Sequence, residues 1–147
     1  MPELTLRKVP FTDDSDNRLR TLKVRTGLDR NYLCRLGFCL SLEEPGVPPP
    51  IPEKAKVARD IDRYTLLGQH GQVYVALLLM WMKENEIPPT SANEVNTYFV
   101  AHMNRGVEIS TTRVRSLADI ASLLPQPART LLVASPPASA TPAPAAA

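Results

Sequence analysis

The order of apolar and polar positions predicts most elements of this chain. In "PELTLRKVPF", Leu4 and Leu6 alternate with Thr5 and Arg7, the period of a half-buried strand, and Pro10 is expected to end it. "TDDSD" then supplies capping side chains and first-turn carboxylates, which suit the positive end of a helix dipole, so a helix is predicted from near Ser15. Leu19, Leu22 and Thr26 form its inner face, Arg18, Thr21 and Arg25 form another stripe, and Gly27 stops it. Asp29 is placed to cap a second helix in which Leu33, Leu36, Gly37 and Leu40 share a face flanked by Cys34 and Phe38. Apolar around most of its circumference, that helix is expected to be mostly buried.

The five prolines between Pro45 and Pro52 interrupt this pattern and are read as a loop separating the basic N-terminal unit from a helical remainder. The remainder divides into "KAKVARDIDRYTLLG", a run from Val73 to Asn85, a Pro88-Pro89 break, a helix capped by Ser91 and reaching about Asn104, and a last segment near Ser116 to Leu123. From Leu124 the chain is mainly Ala, Pro and Ser, too little apolar surface to offset chain entropy. Residues 1–123 are therefore read as one mostly helical domain with a Pro-rich loop at 45–52, and 124–147 as a disordered tail. The fold class expected is mainly α, opening with a ribbon-helix-helix-like strand-helix-helix unit and continuing as a helical bundle.

Composition narrows the chemistry. A chain of 147 residues makes one domain the prior, and a net charge of +2 is only mildly basic. The first forty residues, however, carry Arg7, Lys8, Arg18, Arg20, Lys23, Arg25, Arg30 and Arg35 against Glu3, Asp13, Asp14, Asp16 and Asp29. Two cysteines and no secretory leader pattern point to a reducing, cytoplasmic setting. "VYVALLLMWM" spans ten residues, about half of the ~20 a membrane helix needs, and is read as a core helix.

Candidate reactive groups each have a simpler structural reading. Cys34 and Cys39 are five apart, about 140° around a helix, and face neither one metal nor each other. With His70 and His102 they make no zinc or iron–sulfur spacing, so no metal and no cofactor are expected. His102 could pair with Ser91 or Cys34 as base and nucleophile, but no motif supports this and a packing role is preferred. Asp60 and Asp62, balanced by Arg59 and Arg63, are read as solvated or salt-bridged. The glycines form no phosphate loop, and no catalytic residue is assigned. A strand-helix-helix order allows two chains to pair their strands into a ribbon that reads DNA through Thr5 and Arg7.

Three longer phrases carry more specificity: "LKVRTGLDRNYLCRLGFCLSLEEPG", "RDIDRYTLLGQHGQVYVALLLMW" and "AHMNRGVEI". In these phrases, and over roughly Leu4 to Leu117, the chain resembles the DndE family of bacterial DNA phosphorothioation systems. The resemblance implies a small helical subunit that assembles as a homotetramer. It also implies binding of duplex DNA, preferentially nicked, and work beside other subunits of the modification system without transferring sulfur itself. The family's surface cations carry over to Lys23, Arg25, Arg30 and Arg35, whereas Arg7, Lys8, Arg18 and Arg20 rest on charge alone. Arg35, set among apolar neighbours, is also a candidate partner for Glu43. Two other functions fit the sequence: an assembly or scaffold subunit, and a ribbon-helix-helix transcriptional repressor.

Overall fold

In a computed structural model that describes residues 3–134, the chain is mainly helical. Strand β1 (Lys8–Thr12) leads into helices α1 (Asp13–Thr26) and α2 (Arg30–Glu43), so the strand-helix-helix opening holds. Strand β2 (Val57–Asp62) and the short helix α3 (Arg63–Leu67) follow, and a 3-10 turn, Gly68–His70, leads into α4 (Gly71–Glu84). The long helix α5 (Ala92–Arg113), α6 (Leu117–Ser122) and α7 (Gln126–Ala134) complete it.

The strand lies further along than the alternation at Leu4 and Leu6 suggested, and Pro10 sits inside it. Val9 and Phe11, one residue out of phase with Leu4 and Leu6, are the fully buried positions of the strand. The earlier segment instead runs beside α5, where Asn96 Oδ1 accepts from the Thr5 N–H at 3.0 Å and Asn96 Nδ2 donates to Thr5 Oγ1 at 2.8 Å. A second α5 asparagine secures β1. Asn104 Oδ1 accepts from the Thr12 N–H at 3.2 Å, and its Nδ2 donates to the Pro10 carbonyl at 3.1 Å.

β2 corrects the expectation of a helix after the proline loop. It pairs antiparallel with β1, matching Lys8 with Asp62, Val9 with Ile61 and Phe11 with Arg59. The two-stranded ribbon is thus completed within one chain rather than between two. The loop at 45–52 does not separate an N-terminal unit from the rest, because it returns the chain to the strand it left. Residues from Leu4 to Val114 share a single apolar core. Helix resumes at Arg63, where Asp62 Oδ1 accepts from the N–H groups of Tyr64 and Thr65.

α1 starts two residues before Ser15, capped by Thr12, whose Oγ1 accepts from the Ser15 N–H at 3.2 Å. It ends at Gly27, which takes the left-handed φ of 74° that a side chain would resist. α5 continues past Asn104 to Arg113, carrying Gly106 in its interior. A β-carbon on Gly106 would stand 2.2 Å from the Gly37 carbonyl, so α2 and α5 cross backbone to backbone. Glycine in mid-helix, unfavourable by propensity, is offset here by close packing. In the segment read as tail, Gln126–Ala134 form α7, and the expectation for 135–147 falls outside the described residues.

Candidate nucleic-acid interface

At about 100° per residue, the basic side chains of α1 divide into two rows flanking its buried stripe of Ser15, Leu19, Leu22 and Thr26. Arg18 and Arg25 border the side toward α5. Arg18 pairs with Asp14 at 2.7 Å, and Arg25 Nη1 donates to the carbonyls of Thr111 and Val114 at 3.2 and 3.5 Å. Arg25 thereby caps the C-terminal end of α5, where carbonyls lack helical partners and the dipole favours a cation.

Arg20 and Lys23 border the opposite side, together with Asp16. The Asp16 side chain is only 4% exposed and meets three guanidinium groups. Arg20 Nη2 lies 2.9 Å from Oδ2, while Arg30 Nη1 and Arg59 Nε lie 2.9 and 3.5 Å from Oδ1. These arginines come from α1, the first turn of α2, and β2. The β1–β2 pairing brings the last of them into place, opposite Phe11. Lys23 binds Asp29 at 3.2 Å, and Lys56 binds Asp13 at 3.5 Å. Asp29, turned to Lys23, makes no side-chain cap to α2.

The remaining predicted cations have separate places. Arg7 and Lys8 are exposed where β1 begins. Arg35 does not meet Glu43: its Nε donates to the Leu66 carbonyl at 2.7 Å, its Nη2 reaches Thr65 at 3.4 Å, and its guanidinium lies over the Tyr32 ring. It closes the end of α3 against α2. The eight predicted residues therefore form no single patch. Arg20, Lys23 and Arg30 gather on one edge, Arg18 and Arg25 line another, and Arg35 binds backbone. Arg59, which the sequence pattern placed beside Asp60 in a balanced run, joins the first edge. Its sequence signal was a spacing of two residues from both Val57 and Ile61, that of one strand face.

Both thiols are shifted away from the thiolate form. Cys34 is buried, and burial pushes its thiol up to about 12, leaving almost no thiolate at neutral pH. Burial and the neighbouring Glu43 also raise Cys39. His102 is fully buried, and its hydroxyl partner is Ser41 rather than Ser91. Ser41 Oγ accepts from Arg105 Nε at 2.8 Å and lies 2.8 Å from His102 Nδ1, an arrangement in which the serine hydroxyl donates to the ring. Burial, then Arg105, lowers the His102 pKa to about 3, so the imidazole stays neutral through the physiological range. Arg105 also donates to the carbonyls of Ser41 and Gly46, tying the end of α2 to α5. Among the described residues, no group of three or more His, Cys, Asp or Glu side chains could hold a metal ion.

The fold and its charge distribution define a small, mainly helical strand-helix-helix protein in which Arg20, Lys23, Arg30 and Arg59 gather at the junction of α1, α2 and the ribbon. The chain belongs to the DndE family: the family model, described as DNA sulphur modification protein DndE, matches residues 8–117. Solved structures agree on the fold. A crystal structure of DndE from Escherichia coli B7A, described as involved in DNA phosphorothioation modification, is 21% identical with a TM-score of 0.58. The match covers 73% of this chain and 98% of that one. A DndE G21/24K mutant structure, 20% identical, covers the same shares with a TM-score of 0.55. No curated protein matches the chain. Family membership makes DNA phosphorothioation the process to which this protein contributes.

Proposed function

We propose that this protein is a non-catalytic, DNA-binding subunit of a cytoplasmic DNA sulfur modification system, acting on duplex and preferentially nicked DNA as a homotetramer. The observation that carries the reading is the cationic edge where Arg20, Arg30 and Arg59 outnumber the single carboxylate they share. Exposed guanidinium and ammonium groups bind phosphates without reading sequence, and several weak contacts per subunit sum through avidity in an oligomer. A nick lowers the bending cost of a duplex that must follow such a surface. The raised thiol pKa values support a reading in which sulfur transfer belongs to partner subunits. Residues 1–123 act in this reading as one DNA-binding and oligomerising domain.

Self-association draws support from the outer face of α4, where Val73, Leu77 and Met80 lie at helical spacing and are 55%, 36% and 58% exposed. The same face favours an assembly subunit as the second reading. A salt titration of binding to two duplexes, identical but for one nick, with oligomer mass recorded in the same buffer, separates the two. Tetramer mass, tighter binding to the nicked duplex and a steep salt slope are expected. An oligomer that ignores both duplexes would leave the assembly role.

A further inference from the structure

We propose that Arg20, Arg30 and Arg59, held around the Asp16 carboxylate, form a phosphate-binding site for the nucleic-acid backbone, with Asp16 as its positioning residue. The inference rests on the DNA-binding reading above and names the site that would carry it.

The neighbouring pairs Lys23–Asp29, Lys56–Asp13 and Arg18–Asp14 follow a pattern of one cation per carboxylate. Asp16 departs from it, with three guanidiniums from three elements on its two oxygens, a local balance of +2. The arrangement is layered. Asp16 is 4% exposed at the bottom, Arg30 is 20% exposed beside it, and Arg59 and Arg20 are 49% and 62% exposed above. Each guanidinium has five N–H donors, whereas a carboxylate offers about four acceptor positions in all, so most donors remain available on the solvent side.

Three like charges so close would separate if the buried carboxylate did not hold them. Asp16 therefore fixes their spacing before any ligand arrives, which lowers the ordering cost of binding. Forked N–H pairs facing outward suit the tetrahedral oxygens of a phosphate, which two or three arginines can share. The site also needs the tertiary fold, because β2 brings Arg59 beside a helix more than forty residues earlier. A phosphate could come from within a continuous strand or from the 5′ end at a nick. The terminal group carries close to two negative charges and matches the local balance more fully.

The test measures the R20Q/R59Q variant, altered at its two most exposed members, against wild type. Anisotropy titrations over a range of salt would use an intact duplex, a duplex nicked with a 5′-hydroxyl, and one nicked with a 5′-phosphate. Circular dichroism melting would verify the fold, and Lys83→Gln would serve as a control for lost charge elsewhere. Loss of two phosphate contacts predicts a fall of about 2 in the salt slope and at least about tenfold weaker binding at low salt. R20K/R59K, which keeps the charges and loses the forks, should retain the slope but not the full affinity. A wild-type preference for the 5′-phosphate nick that disappears in R20Q/R59Q would assign the terminal group as ligand. Equal losses on all three duplexes would assign internal phosphates. A folded R20Q/R59Q that matches wild type in affinity and slope overturns the site while leaving DNA binding intact. Wild-type protein that binds none of the three overturns the DNA-binding reading itself.

Discussion

At the residue scale, His102 shows how burial turns a potential base into a structural acceptor. Its Nδ1 receives the Ser41 hydroxyl, which in turn receives Arg105, and a proton on the ring would add a second positive charge beside that guanidinium. The folded pKa, near 3, lies below the unfolded value of about 6.5, so between them the unfolded chain binds the extra proton. Stability from this source is complete above about pH 6.5 and declines as pH falls toward 3. From pH 7 to pH 5 it should drop by about 1–2 kcal/mol in urea unfolding, a decline that His102→Gln should largely remove. A wild-type stability that is flat over that interval would mean that the ring is protonated without cost. The two histidines and two cysteines offered material for catalysis. Burial withdraws Cys34 and His102 from solvent, as their apolar neighbours in sequence foreshadowed.

At the scale of elements, the crossing of α2 and α5 is the contact on which the rest is mounted. Gly37 and Gly106 meet there with no room for a methyl group, and Arg105, next to Gly106, binds the Ser41 carbonyl in the last turn of α2 and the Gly46 carbonyl just beyond it. Gly106→Ala should therefore destabilise the fold by about 2–3 kcal/mol or more, despite the higher helix propensity of alanine. Thermal melting checks this, and a neutral or stabilising effect would show that the helices can separate at no cost. The same pair explains why α5 outran its expected end near Asn104. Glycine after Asn104 and Arg105 reads locally as a stop, and only the facing glycine of α2 shows that it is a contact. β2 was hidden for a related reason. Alternating charges around Asp60 and Arg63 satisfy a helical pattern, yet the backbone of this segment finds its hydrogen bonds on β1.

For the whole molecule, the apolar outer face of α4 and the cationic junction of α1, α2 and β2 are built from different elements, and the proposed function gives the first to self-association and the second to nucleic acid. Among the described residues, no helix is long and apolar enough to cross a membrane. Leu77→Asp, beside Val73 and Met80, should reduce the oligomer mass seen by light scattering while leaving the helical signal unchanged. Binding of DNA by the resulting smaller species should weaken by at least about tenfold through lost avidity. An unaltered mass would remove α4 from the subunit interface.

Local pattern along the chain was enough to specify the helices α1, α2, α4 and α6 and the start of α5, because caps, glycine stops and apolar spacing act within a few residues. It also specified the excess of basic charge in the first forty residues and, through three phrases, the family. The folded chain settled where β1 finds its partner, how far α5 extends, and which cation meets which carboxylate. Those outcomes depend on groups far apart in the chain. Lys8 pairs with Asp62, Gly37 with Gly106, and Arg59 with Asp16 only once the proline loop has closed. Each segment's sequence sets what that segment prefers, whereas the geometry of the closed chain selects which preferences are met together.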